Sequence, residues 1–227
     1  MLNIPLTITK EYANAISEQL FNLGEHALVG ISPFNSYFSE SNLEKLFRWA
    51  LDNFQEINIF IPDEVSVYTF QAIGYPEDKA KRKTRRQDNY LKNKAIKALV
   101  SNTLSETEAR NKIICLSDLM HNGVYVRLYN DCLNLYKNDE NFRNGCITTS
   151  KWVLDSKYAF DNVSNESLDI AVKYFLSEFP LFINSHDILN VHSSLFIYKE
   201  IPDFLKKVYG DDSLVSPNQG YIAINLQ

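Results

Sequence analysis

Two periods of apolar residues alternate along this chain. Residues 11–23 carry them at helical spacing and stop at Gly24, a residue suited to the left-handed end of a helix. "HALVGI", 26–31, is a continuous apolar run that predicts a buried strand. Ser41 and Glu44 have the spacing of a capping box, which opens a helix through about Phe54. "INIFI", 57–61, predicts a second strand, and "EVSVYTFQAIG", 64–74, a helix closed by Gly74. Pro76 sits where a first-turn proline starts the next helix, about 77–102. "KIICLS", 112–117, predicts a third strand. Helical spacing then dominates from about Val124 to Tyr158, with a break near Gly145. "NESLDIAVKYFLSEFPLFI", 165–183, is a helix apolar nearly all round. "HSSLFIY", 192–198, and "GYIAINL", 220–226, finish as strands, with a short helix from Pro202 between them. Strands alternating with helices predict one α/β domain over 1–227: a Rossmann-like, mostly parallel sheet with helices on both faces.

Composition adds little until charge is placed along the chain. Of 227 residues 45% are hydrophobic, ample for one core, and no apolar run approaches the roughly 20 residues that span a bilayer. With no basic-then-apolar leader pattern, the expected location is cytoplasmic, without a membrane partner. Cys115, Cys132 and Cys146 lack disulfide or metal-like spacing and read as reduced thiols. Net charge is −5, yet the stretch from Lys79 to Lys97 holds nine basic residues against one acid, Asp88. That local +8 leaves −13 for the rest of the chain. Lys79, Lys83, Arg86 and Lys97 share one side of the predicted helix, and Arg82, Arg85, Lys94 and Lys92 widen it. A solvated helix face normally mixes both signs; here like charges repel, which points to a polyphosphate partner such as nucleic acid.

Two further features carry chemistry. "GISPFNS", 30–36, follows the first predicted strand, at the sheet edge where α/β proteins bind ligands. Gly30 leaves room at the backbone, Ser32 offers a hydroxyl and Asn35 an amide. The pattern is neither a nucleophile elbow, since Phe34 replaces the second glycine, nor a phosphate-cradling loop, and a serine-rich turn capping the next helix is the plainer alternative. In "VKYFLSEFPLFI", Glu178 is the sole acid among apolar residues, with Tyr174 four positions before it on the same face. A buried carboxylate needs a cationic partner, either a structural Lys or Arg or a ligand ammonium.

Together these residues resemble the cyclodipeptide synthases. The family's first signature, His, any residue, two aliphatics, Gly, aliphatic, Ser, is complete as "HALVGIS", His26 to Ser32. Its second, Tyr, aliphatic, two residues, Glu, aliphatic, Pro, is met by "YFLSEFP", Tyr174 to Pro180, with Phe175 and Phe179 at the aliphatic places. A basic helix after "GYP", Tyr198 ending a late strand, and a terminal "QGYI" extend the likeness along the chain.

The resemblance implies an enzyme that joins two aminoacyl-tRNAs into a cyclic dipeptide, on a fold like the class I tyrosyl- and tryptophanyl-tRNA synthetase catalytic domain. It implies Ser32 as the nucleophile that takes the aminoacyl group. Gly30, Leu28 and Asn35 would line the site, with Asn35 holding or polarising the substrate. Tyr174 and Glu178 would hold the aminoacyl ammonium, and Tyr198 would assist at Ser32. The basic residues Lys79, Arg82, Lys83, Arg85, Arg86, Lys94 and Lys97 would hold tRNA. An ester is already activated, so neither a cofactor nor a metal is required. Lys199 stands where the family usually has glutamine or proline. Two rivals stay open at this stage: a non-catalytic RNA-binding module, which needs the basic helix but not Ser32, and a serine esterase, which needs the reverse. The apolar run around Glu178 and Leu28 suggests hydrophobic amino acids as substrates.

Overall fold

Alternate residues of each central strand divide between two apolar clusters, one on each face of the sheet. In the computed structural model, which describes residues 8–33, 35–158, 164–211 and 213–226, Ala27, Val29, Ile57, Ile59, Leu195, Ile197, Ile222 and Ile224 face one side. Leu28, Phe60, Phe196, Tyr221 and Ala223 face the other. The period of two therefore sorts aliphatic residues onto one face and mainly aromatic ones onto the other.

The strands are β1 (Ile8–Tyr12), β2 (His26–Gly30), β3 (Glu56–Ile61), β4 (Ile113–Cys115), β5 (Ser194–Tyr198) and β6 (Gln219–Leu226). They form one sheet in the order β1-β6-β5-β2-β3-β4, parallel except for β1 against β6. Helices α1 (Ala15–Leu23), α2 (Glu40–Asn53), α3 (Ser66–Ala72), α4 (Glu77–Val100), α5 (Glu106–Asn111), α6 (Leu116–Leu119), α7 (Gly123–Asn138), α8 (Glu140–Tyr158), α9 (Asn165–Leu189) and α10 (Asp203–Gly210) surround it. Residues of α1, α2 and α4 pack on the aliphatic face, and residues of α7, α8, α9 and α10 on the aromatic one. Successive strands run outward from β2 toward β4, whereas β5 and β6 lie on its other side. The switch in strand order thus falls between β2 and β5, where a doubly wound sheet opens a crevice at its carboxyl edge. Among the described residues no helix is long and apolar enough to cross a membrane.

Several boundaries differ from the sequence expectation. The third strand is only Ile113–Cys115, because Leu116 already opens helix α6, where Asp118 accepts from Cys115 N at 2.9 Å. Residues 8–12 are a strand, because pairing with β6 outweighs the helical pattern; helix α1 starts later, where the Asn14 side chain accepts from Ser17 N at 2.9 Å. Helix α2 is capped by Ser39, which accepts from Asn42 N at 3.2 Å, two residues before Ser41. The break in the long helical region lies at Asp139, which caps α8 through Phe142 N at 2.8 Å, and not at Gly145. Gly145 sits inside α8 because the Phe204 ring occupies its side-chain space; a Cβ there would lie 2.2 Å from Phe204 Cδ2.

Helix α4 buries a stripe of small residues, Ala80, Thr84, Ala95 and Ala98, with Leu91, Leu99 and one acid, Asp88. The Asp88 carboxyl faces a cavity at the ends of β3 and β4 that Asp63, Glu64 and Lys92 also line. Burial first, and then the nearby Asp63, raise its pKa from 3.8 to about 7, with Lys92 opposing. The folded state therefore holds a proton that the unfolded chain has released. The resulting stabilisation is complete below about pH 4 and is lost as pH rises through 7. Asp88→Asn, which fixes the neutral form, is expected to be more stable than the wild type at pH 8. Solvent at the cavity mouth screens the charge, so the gain should be about 1–2 kcal/mol. Urea unfolding at pH 5 and pH 8 should show the difference between the two proteins growing with pH; a constant difference would contradict it.

Candidate active site

Strand β2 ends at Gly30, and Ile31 keeps one more ladder bond, its N–H donating to Phe60 O at 3.0 Å. The chain then leaves the sheet with Ser32 buried at the carboxyl edge. Asn35 accepts from Tyr37 N at 3.1 Å and starts a single 3₁₀ turn, Ser36–Phe38. The Tyr37 hydroxyl pins that turn to β6 by donating to Ile224 O at 2.6 Å. Across the switch point, β5 ends at Tyr198, whose hydroxyl lies 2.8 Å from Ser32 Oγ. The Phe38 and Tyr198 rings are 5.6 Å apart, so the turn and β5 brace each other.

Gly30 has a packing reason beside its place in the site. A Cβ there would lie 2.6 Å from Phe196 Cζ and 3.6 Å from Tyr198 Cδ2. The glycine therefore lets β5 bring its aromatic residues against β2, which sets the position of Tyr198.

Helix α9 supplies the opposite wall. It runs through Pro180 and breaks at Asn184 (φ −160°, ψ 49°), and groups outside the helix satisfy the freed backbone. Ser216 N donates to Ile183 O at 2.9 Å, the Tyr209 hydroxyl donates to Phe182 O, and Ser185 N is taken by Gln219 Oε1 at 2.6 Å. The turn before Pro180 is braced too, since the Tyr125 hydroxyl donates to Ser177 O at 2.9 Å. These fixings hold the face bearing Tyr174 and Glu178 toward Ser32.

The result is a cavity of about 410 Å³ that Gly30, Ser32, Asn35, Tyr174, Glu178 and Tyr198 line together. Glu178 is half-buried and opens onto this cavity, where the sequence alone suggested full burial. Leu28 lies apart: it is fully buried in the aromatic-side cluster and is not among the lining residues. Residues that the sequence did not flag complete the walls. Phe182, Phe196 and Tyr221 give an apolar floor, and Thr149, Ser150 and Trp152 of α8 a mixed side. Ser150 is buried and its Oγ has no hydrogen-bond partner among the described residues. In the sequence it is an ordinary serine of an amphipathic helix, so no signal marked it. Lys199, paired with Glu200 at 2.6 Å, stands at the rim.

Burial raises the Tyr198 pKa well above that of a free phenol; the Ser32 hydrogen bond opposes this, and the charge of Glu178 adds to it. Tyr198 is thus a neutral donor at physiological pH, able to orient Ser32 Oγ or pass a proton, but not a resident base. The Asn35 side chain also contacts this phenol, which opposes the rise in its pKa, but its buried amide nitrogen makes no well-formed hydrogen bond among the described residues. An unpaired buried donor is costly, and a substrate oxygen placed there would relieve it.

The basic residues of α4 do not line this cavity. Lys79, Arg82, Arg85, Arg86 and Lys97 are exposed. Lys83 is half-covered, its ammonium 5.7 Å from the Phe70 ring centre and 4.9 Å from that of Tyr75. Lys92 reaches Asp63 at 3.5 Å, and Lys94 donates to Phe38 O at 2.8 Å. The expected single stripe is therefore divided: part of it faces solvent, and two lysines are committed to the fold.

Comparison with known proteins gives one answer. A family profile described as cyclodipeptide synthase matches residues 10–225. A cyclo(L-leucyl-L-leucyl) synthase of Staphylococcus haemolyticus is 30% identical over 217 residues, 91% of this chain and 90% of that one. A cyclo(L-tyrosyl-L-tyrosyl) synthase of Mycobacterium tuberculosis is 29% identical over 88% of this chain and 70% of its own. The crystal structure of a cyclodipeptide synthase from Bacillus thermoamylovorans superposes with a TM-score of 0.90 at 27% identity, covering 97% of this chain and 96% of that one. A Mycobacterium tuberculosis structure reported to relate cyclodipeptide synthetases to type I tRNA synthetases superposes at 0.84 with 25% identity, over 100% and 99% of the two chains. The chain thus shares its mixed α/β fold with a protein described as related to type I tRNA synthetases, and it belongs to the cyclodipeptide synthase family.

Proposed function

We propose that this protein makes a cyclic dipeptide from two aminoacyl-tRNAs by a ping-pong route through Ser32. The observation that carries the reading is the Ser32–Tyr198 contact at 2.8 Å, inside the cavity that Glu178 and Tyr174 share. In the first half-reaction Ser32 Oγ attacks the ester carbonyl of one aminoacyl-tRNA. The Oγ–carbon bond forms, the bond to the terminal ribose oxygen breaks, and the serine proton passes to that departing oxygen, directly or by way of Tyr198. The Asn35 amide would donate to the carbonyl oxygen as its charge develops. Glu178 and Tyr174 would hold the substrate ammonium. The ammonium of the bound aminoacyl group first gives one proton to solvent. The free amine then attacks the ester of the second aminoacyl-tRNA, its next proton leaves with the ribose oxygen, and a dipeptide stays on Ser32 as the second tRNA departs. Attack of the new terminal amine on the Ser32 ester closes the ring and releases the serine. The cavity floor of Phe182, Phe196 and Tyr221 favours apolar side chains. Incubation with purified aminoacyl-tRNAs charged with leucine, phenylalanine or tyrosine should yield cyclic dipeptides by mass spectrometry; uncleaved aminoacyl-tRNA in every case would contradict the reading.

The exposed part of α4 would hold the acceptor arm by its phosphates. Each phosphate contact adds about −0.7 to −0.9 to the slope of log affinity against log salt. Replacing Arg82, Arg86 and Lys97 together by alanine should therefore weaken tRNA binding and flatten the slope by about two units. Wild-type affinity and slope in this variant would reduce the stripe to a solvated face.

A further inference from the structure

Helix α4 carries, among its charges, a large exposed aromatic residue that the chemistry above does not use. Tyr90 is 60% exposed. Its place in the helix is specific: Lys79, Lys83, Arg86, Tyr90, Lys94 and Lys97 follow one another at intervals of four, three, four, four and three, the spacing of a single helix face. The basic face is thus interrupted once, by a ring. Lys94 stands beside that ring, its Nζ 4.6 Å from the centroid, while donating to Phe38 O at 2.8 Å. The Phe38 ring in turn packs on Tyr198, which bonds Ser32. A continuous series of contacts therefore joins Tyr90 to the nucleophile.

A duplex held by its phosphates explains the charges of this face but gives no use for an exposed ring in their midst. An aromatic ring among phosphate-binding cations is what an unpaired nucleotide needs, because any base can stack on it whatever its sequence. The substrate of the proposed reaction must leave its duplex to reach Ser32, since the ester lies on the terminal ribose of a single-stranded end. Resting on that reading, we propose that the exposed ring of Tyr90 is a stacking platform for an unpaired base in the 3′ end of the bound tRNA. Lys94 is then a positioning residue. It fixes the platform relative to the turn after Ser32, so that the 3′ end is guided from the phosphate-binding face toward the cavity.

The test uses an acceptor-arm RNA hairpin with its unpaired 3′ nucleotides and the same hairpin trimmed to a blunt end. Stacking on an aromatic residue is worth about 1–3 kcal/mol per base, so Tyr90→Ala should weaken binding of the tailed RNA roughly tenfold. Tyr90→Phe keeps the ring and should bind as the wild type does. The blunt RNA should not distinguish the three proteins, and the salt slope should be the same for all of them. Equal affinity of Tyr90→Ala and wild type for the tailed RNA would overturn the proposal, as would an equal loss on both RNAs. Arg86→Ala, run alongside, reports on the underlying reading: it should weaken both RNAs and flatten the salt slope. Should the wild type bind neither RNA in a salt-dependent way, the tRNA reading itself falls, and the platform with it.

Discussion

Ser32→Ala is expected to lose cyclic dipeptide formation by on the order of 10⁴-fold or more while keeping its fold and its affinity for tRNA. The loss follows from the role assigned to one atom: without Oγ there is no acyl acceptor, and neither Tyr198 nor Asn35 can substitute for it. The fold should survive because the serine lies beyond the end of β2, and Ile31 rather than Ser32 carries the last ladder bond to β3. Thermal unfolding within a few degrees of the wild type, with tRNA binding intact, separates lost chemistry from lost structure. Retained turnover in Ser32→Ala would remove the covalent route, whatever the family.

Glu178→Gln is the second large effect. The substitution keeps the shape and one acceptor oxygen, but it turns the other oxygen into an N–H donor and removes the charge proposed to pair with the substrate ammonium. A charge-assisted contact in a partly desolvated cavity is worth about 2–3 kcal/mol, so turnover should fall roughly 30- to 150-fold. Because Glu178 is half-buried and faces the cavity, stability should change little. The loss should appear with every aminoacyl-tRNA accepted, since the ammonium is common to all of them. A loss confined to one amino acid would make Glu178 a side-chain selector instead.

What could be read from the sequence was whatever repeats with a period or concentrates in a short stretch. The strands at 57–61 and 220–226 were legible because buried strands are unbroken apolar runs. Strand β1 was not: its pattern over Ile8–Tyr12 has no such run, and it exists because β6 offers an unpaired edge. Ser32, Asn35, Tyr174 and Glu178 stand in compact motifs and could be singled out. Ser150 and Trp152 could not, because they join the site only when α8 folds across the sheet. Leu28 shows the converse. It stands in a signature and shares a sheet face with Gly30, Phe196 and Tyr221, yet it lies two residues back from the carboxyl edge, in the core and outside the cavity lining. In α4 the charge was plain in the sequence, but its division was not: Lys94 is tied to the Phe38 carbonyl, which only tertiary contact could assign.

The acyl group that Ser32 is proposed to carry can be weighed directly. Intact-mass analysis of the protein after brief exposure to a productive aminoacyl-tRNA should show a mass increase equal to one aminoacyl residue. Peptide mapping should place it on Ser32, and it should be absent in Ser32→Ala but present in Ser36→Ala and Ser39→Ala. An adduct that persists in Ser32→Ala, or product formation by the wild type with no adduct trapped under any quench, would contradict that proposal.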